Sequence, residues 1–287
     1  MSMNAAFIGI GIMGVRQAAN VLAGGLPLVA YSRSPGKADP LVAKGARRAS
    51  TIAEASKGAD AIITMVSAPA DVEEVYFGKG GVLDSAKAGA LLIDMTTSSP
   101  KLAERIHAAA RAKGLRAIDA PVTGGEQGAA DGTLTIMVGG DKADFDAAQP
   151  LLAMMGKTLV HFGAAGQGQR AKLVNQVIVA QNVLAAIEGL FFSRKAGLDG
   201  EVMLATLQTG TADSKALRIQ AAKAFRGDFT PGFYPKHLVK DITLAIEEAD
   251  SLGIDLRGLK TVRARWLELL YKFPEAKSIQ DLARLYM

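Results

Sequence analysis

The sequence contains no cysteine. Disulfides, catalytic thiols and cysteine-based metal sites are thereby excluded. Aromatic residues are scarce, 6% of the chain with a single tryptophan, so aliphatic side chains and alanine must fill the core. Charge of one sign is nowhere concentrated. No basic run exceeds two residues, as at Arg47-Arg48, and the net charge of +5 is spread among interleaved acids. A nucleic-acid partner would require a clustered basic patch and is not expected. Long hydrophobic runs are missing too. The longest uncharged apolar stretch, residues 173–187, has 15 residues, short of the roughly 18 needed to span a bilayer. It also carries Asn175, Gln176, Gln181 and Asn182. It reads as a buried helix, and no membrane partner is expected. The N-terminal Met1-Ser2-Met3-Asn4 shows no charged segment leading into an apolar one, which points to a cytoplasmic protein. His107, His161 and His237 lack ligand spacing, and no metal is expected.

What is present is a chain of 287 residues, 49% hydrophobic and with 31 glycines, long enough for two domains. The short apolar run 5–8 ends in glycines and reads as a buried strand. A helix is expected over 15–22, stopped by Gly24-Gly25. Further strands are expected at 28–31, 61–66, 90–94 and 116–118, with helices at 50–58 and 101–113 between them. Strands alternating with helices imply βαβ units and a parallel sheet. Two later runs, 134–138 and 158–161, are expected to complete it. The pattern then changes. A helix over 169–196 would be roughly 40 Å long at about 1.5 Å per residue. Helix-period patterns broken at Pro231, Pro235 and Pro274 follow it to the end. The expected organisation is an α/β domain over 1–163 and an all-α domain over 164–287 that includes the long helix.

The glycines of Gly9-Ile10-Gly11-Ile12-Met13-Gly14 fall between the first strand and the first helix. In that setting the first glycine permits a tight turn, the second admits a pyrophosphate against the backbone, and the third lets helix pack on strand. Free N–H groups at the helix start then hold the anion. Ser32-Arg33-Ser34 follows the second strand, where NAD binders usually place a carboxylate for the ribose 2′-hydroxyl. An arginine between two hydroxyls suits a 2′-phosphate instead. NADP is therefore expected ahead of NAD.

Two more segments carry chemistry. Asp119-Ala120-Pro121-Val122-Thr123-Gly124-Gly125 offers a hydroxyl and two bare N–H groups, a nest that can hold a carboxylate. Gly166-Gln167-Gly168-Gln169-Arg170-Ala171-Lys172-Leu173-Val174-Asn175 opens the long helix and sets Lys172 and Asn175 on one face. Lys172 is the only charge between Arg170 and Glu188. Burial would lower its pKa toward the range that suits proton transfer. Asp94 and Asp119 read as loop-capping residues at strand ends.

Together with Lys236-His237-Leu238-Val239-Lys240-Asp241, the order and spacing of these segments closely resemble the β-hydroxyacid dehydrogenases over nearly the whole chain. That group contains 3-hydroxyisobutyrate dehydrogenase and the glyoxylate, succinic-semialdehyde and tartronate-semialdehyde reductases. The resemblance implies a Rossmann-type N-terminal domain, a long connecting helix and an all-α C-terminal domain. It implies that Lys172 is the catalytic lysine, that Thr123, Gly124 and Gly125 bind the substrate carboxylate, and that Asn175 helps orient the substrate. It implies that Thr96 lies near the nicotinamide ribose, that Val66 and Ser67 line the cofactor, and that Lys240 closes on the nicotinamide end. Ser32, Arg33 and Ser34 match the NADP-preferring members. The chain departs from the pattern at Thr123, where serine is commoner, and at Val66-Ser67, where the family usually has Leu-Pro. Phe191-Phe192 is bulkier than usual and is expected to be core packing.

The expected reaction interconverts a small β- or γ-hydroxy acid and its semialdehyde or keto acid by hydride transfer. Phe233, Ser214 and Asp213 are candidate specificity residues. One alternative is oxidative decarboxylation of the 6-phosphogluconate dehydrogenase type, whose members have a longer helical C-terminal half. An imine reductase would replace the helix lysine. A non-catalytic cofactor-binding scaffold is the alternative from another class. The alanine-rich helical half favours a homodimer or homotetramer.

Overall fold

A computed structural model describes residues 3–34 and 36–287, so Met1-Ser2 of the N-terminal reading lies outside the described residues. The strands are β1 (Ala5–Ile8), β2 (Leu28–Tyr31), β3 (Arg47–Arg48), β4 (Ala61–Thr64), β5 (Leu91–Asp94), β6 (Arg116–Asp119), β7 (Val122–Thr123), β8 (Leu134–Gly139) and β9 (Gly156–Gly163). The helices between them are α1 (Ile12–Ala23), α2 (Asp39–Val42), α3 (Ile52–Ser56), α4 (Pro69–Phe77), α5 (Val82–Ser85), α6 (Pro100–Ala112), α7 (Gly125–Ala130) and α8 (Lys142–Leu152). Then come α9 (Gln167–Lys195), α10 (Gly200–Leu207), a π-helical stretch Ala216–Ala221 continuing as α11 (Ala222–Phe225), α12 (Pro235–Ser251), α13 (Arg257–Lys272) and a 3₁₀ segment Ile279–Leu285.

The chain divides into two compact units, Met1–Lys172 and Leu173–Met287. The division falls inside α9, whereas the sequence reading placed a boundary at 163/164. In the first unit one sheet runs β3-β2-β1-β4-β5-β6-β8-β7, with β9 paired to β8. From β3 to β6 every pairing is parallel. Alternate residues of β1 feed the two faces: Ala5 and Phe7 join one apolar cluster, Ala6 and Ile8 the other. Burial on both faces explains why these strands read as continuous apolar runs.

One expectation is corrected, and two short strands are added. The run at 134–138 does not extend a parallel sheet, because β8 is antiparallel to β6 and to β7 and parallel only to β9. Arg47–Arg48 and Val122–Thr123 are short strands, too brief to show any periodicity. The break expected at Pro235 is where α12 begins, with the proline in its first turn, where its missing N–H leaves no orphan.

Among its described residues the second unit has helices and no strand, with a core containing Trp266, Leu190, Ile187 and Leu238. Its part of α9 buries Leu173, Ala180, Val183, Leu184, Ile187, Leu190 and Phe191 in that core. The whole helix has 29 residues, and by length and composition alone it is long and apolar enough to cross a membrane. The limit of 15 residues read from the sequence counted only the uncharged run. The spacing of the buried residues is that of a core helix.

Candidate functional site

Parallel pairing sets the strand ends of the first unit in one row. Ile8 aligns with Tyr31 and with Thr64, Thr64 with Asp94, and Asp94 with Asp119. The segments leaving these five ends carry Gly9–Gly14, Ser32–Ser34, Val66-Ser67, Thr96 and Thr123–Gly125. The structure thus brings the candidate residues of this unit to the carboxyl edge of the sheet. Strand order reverses at β1, between β2 and β4, which is where open α/β sheets bind ligands.

The three glycines of the first loop differ in what demands them. Gly9 has φ +100°, and a Cβ there would lie 2.3 Å from the Met65 carbonyl oxygen. A Cβ on Gly14 would lie 2.0 Å from the Gly9 oxygen. Gly11 has an ordinary φ of −93°, and a Cβ there would meet nothing within 4 Å. Neither backbone conformation nor internal packing requires glycine at Gly11. The remaining reason is an approach from outside the chain, and a dinucleotide pyrophosphate fits it. Gly11 is also the N-cap of α1, and no side chain caps that helix. Its first-turn N–H groups therefore face the same opening.

Arg33 extends into solvent, with its side chain 79% exposed and Nη1 3.3 Å from Asp71 Oδ1. A pair this exposed contributes little to stability and leaves the guanidinium available. Ser32 is half-buried and Ser34 exposed.

Thr96 is buried, 1% exposed, and sits in a hydrogen-bond chain. The Val66 amide donates to Thr96 Oγ1 at 3.0 Å. Asp94 Oδ1 accepts from Thr64 Oγ1 at 2.8 Å and from the Thr96 amide at 3.1 Å. Tyr76 Oη lies 3.0 Å from Thr64 Oγ1. Burial pushes the Asp94 carboxyl up to about 6, against the opposing hydrogen bonds from Thr96 and Thr64. Burial, with Asp94 close by, also raises the Tyr76 phenol well above its ordinary value. The chain fixes the loops after β4 and β5 against each other.

Thr123 ends β7, and Gly124 (φ +135°) and Gly125 (φ +68°) turn the chain into α7. Both glycines occupy conformations that L side chains rarely adopt. The first turn of α7 holds Glu126, which pairs with Arg16 of α1. Asn20 Nδ2 of α1 donates to the Ala129 oxygen at 2.8 Å. The helix behind the glycine loop is thereby tied to the helix behind Thr123.

Asp119 is more than a loop cap. Its two oxygens accept from the Gly166 amide at 2.8 Å and the Gln169 amide at 2.7 Å, at the start of α9. Burial raises its carboxyl pKa, opposed by those same backbone bonds. Gln169 is fully buried. Its Oε1 accepts from the Ser98 amide and its Nε2 donates to the Thr96 oxygen, both at 2.8 Å. Lys172, one turn further along α9, is 7% exposed. Sequence reasoning had not singled out Gln169. The lack of Ser, Thr, Asp or Asn at residues 163–168 to cap the helix is a signal for the Asp119 contact, whereas the partners of the Gln169 side chain lie in a distant loop that no local pattern marks.

The second unit holds the other candidates. Asn175 follows Lys172 on α9, and its Nδ2 donates to Gln176 Oε1 at 2.8 Å. Lys240 on α12 lies 3.0 Å from Asp241 Oδ1, and Gln176 Nε2 donates to Asp241 Oδ2 at 2.5 Å. Asp213 is engaged by Arg218 at 2.7 Å, and Ser214 Oγ accepts from the Leu217 amide at 3.0 Å. Phe233 is 38% exposed. Core packing describes only one of the two phenylalanines: Phe191 is buried, 6.1 Å edge-on from Phe225, while Phe192 is 74% exposed.

The switch point, the glycine loop and its open Gly11 define a dinucleotide-binding protein. Comparison with known proteins narrows the class. Residues 4–163 match the family model described as the NAD binding domain of 6-phosphogluconate dehydrogenase. Residues 166–286 match the model described as NAD-binding of NADP-dependent 3-hydroxyisobutyrate dehydrogenase. The chain is 42% identical to an uncharacterized oxidoreductase of Bacillus subtilis, over 100% of both chains. It is 38% identical to 2-hydroxy-3-oxopropionate reductase of Escherichia coli, covering 90% of this chain and 88% of that one. A solved structure of Mycobacterium tuberculosis 3-hydroxyisobutyrate dehydrogenase with L-serine superposes with a TM-score of 0.90 at 29% identity, covering 99% of each chain. The chain belongs to the β-hydroxyacid dehydrogenase family and is an NAD(P)-dependent oxidoreductase.

Proposed function

We propose that the protein interconverts a small hydroxy acid and its semialdehyde or keto acid, with NADP preferred over NAD. The observation that carries this reading is a buried lysine, Lys172, one turn into a helix anchored to the sheet edge that bears the glycine loop. The names of the Escherichia coli and Mycobacterium tuberculosis relatives support the substrate class. The description of the C-terminal family model supports NADP.

In this reading Gly9–Gly14 and the start of α1 hold the cofactor phosphates, and Ser32, Arg33 and Ser34 hold the 2′-phosphate. Val66 and Ser67 line the cofactor, and Thr96 lies near the nicotinamide ribose. The bound cofactor supplies or accepts the hydride. Thr123 and the amides of Gly124 and Gly125 bind the substrate carboxylate, and Asn175 orients the substrate. Lys172 donates the hydroxyl proton in reduction and removes it in oxidation. General acid–base catalysis of this kind contributes roughly 10²–10⁴-fold. The same family membership, the alanine-rich helices and the exposed Val174, Ile178 and Phe192 favour a homodimer or homotetramer.

The test is NADPH oxidation with 2-hydroxy-3-oxopropionate, succinic semialdehyde, glyoxylate and methylmalonate semialdehyde. Lys172→Ala should retain NADPH affinity and lose at least about 100-fold in kcat. Normal turnover by that variant would remove the lysine from the mechanism. Arg33→Ala should weaken NADPH at least about tenfold more than NADH, because only NADPH carries the 2′-phosphate. Equal weakening of both would remove the case for NADP.

A further inference from the structure

We infer that Gln169 is a positioning residue that sets Lys172 against the Thr96 loop; this rests on the reading of Lys172 as the proton donor. Gln169 is fully buried, and both ends of its amide are engaged by one short segment. The Ser98 amide donates to its Oε1, and its Nε2 donates to the Thr96 oxygen. Its own backbone amide is held by Asp119 Oδ2 at 2.7 Å. A single residue thus ties the loop after β5 and the end of β6 to the first turn of α9. Lys172 lies three residues on, on the same side of the helix.

The seat beneath this turn is rigid. A Cβ on Gly168 would lie 2.5 Å from the Met137 oxygen and 2.8 Å from the Asp119 oxygen. A Cβ on Gly139 would lie 2.6 Å from the Gly168 nitrogen. The helix start therefore rests directly on the backbone of β8 and β6. Arg170 holds Glu104 of α6 at 2.9 Å. With backbone on one side and α6 on another, the Gln169 amide sets the remaining freedom, the distance from the helix turn to the Thr96–Ser98 loop. Thr96 in turn accepts from the Val66 amide, so the same amide registers the lysine against both loops read as the cofactor wall. A displacement of about 1 Å at such a point costs on the order of 10² in rate.

Gln169→Met keeps the side-chain volume and removes both hydrogen bonds. It should lower kcat by about 10- to 100-fold, with KM changed less than about threefold and NADPH affinity by fluorescence titration unchanged. In the Lys172→Ala background the same substitution should lower kcat by less than about twofold, since residues acting as a unit are not additive. In the cofactor-free protein, amide hydrogen exchange at Ser98 should accelerate. Gln169→Asn, which keeps an amide with both donor and acceptor but shortens its reach, should fall between wild type and Gln169→Met and serves if the methionine variant does not fold. Unchanged kcat, or equal losses in both backgrounds with Lys172→Ala itself impaired, would overturn the positioning role alone. Undiminished kcat in Lys172→Ala would overturn the lysine reading and this inference with it.

Discussion

At the scale of the residue, Asp94 shows how the fold sets a carboxylate against its own charge. It is buried at a strand end, accepts from Thr64 and Thr96, and has a pKa raised to about 6. The unfolded chain returns it to about 3.8. Between these values the folded protein binds more protons than the unfolded one, so this group's contribution to stability falls as pH rises from about 4 to 6. Each unit is about 1.4 kcal/mol, which places the full effect at roughly 3 kcal/mol. Asp94→Asn removes the titration and keeps an acceptor. Urea midpoints at pH 4.5 and 7 should show wild type losing more stability than the variant over that interval. Identical pH dependence in the two proteins would refute this account. Asp94 itself was legible as a strand-end cap. Its partners Thr64 and Tyr76 were not, because they come from other elements.

At the scale of the element, the glycine loop separates two reasons for glycine that look alike in the sequence. Gly14 is required by packing, with its Cβ position 2.0 Å from the Gly9 oxygen. Gly11 is required by nothing within the chain. Gly11→Ala should therefore melt within a few degrees of wild type while losing at least about tenfold in NADPH affinity. Gly14→Ala should lose roughly 1–3 kcal/mol of stability through overpacking. Calorimetry and fluorescence titration read the two effects. Unaltered NADPH binding by Gly11→Ala would mean that the pyrophosphate does not approach there. Strands β1 and β2 begin and end where their apolar runs do. Helix α1 starts at Ile12 rather than at 15, because Gly11 supplies an extended N-cap. The short strands β3 and β7 left no trace in the sequence, since two residues cannot show a period.

At the scale of the whole molecule, two cores of different kind share one chain. The sheet of the first unit is covered on both faces, and the second unit packs helices around Trp266. The sequence alone determined the alternation of strands and helices, the glycine loop, the long helix with Lys172, and the change to helix-only periodicity after Gly163. Each of these rests on local spacing, on residues within a turn or two of one another. Only the tertiary structure decided that β8 runs against β6, that Asp119 caps a helix beginning 48 residues later, and that Gln169 bonds the segment Thr96–Ser98. Strand direction and long-range hydrogen bonds depend on which chain segments meet after the sheet has assembled. No local pattern of residues encodes that meeting.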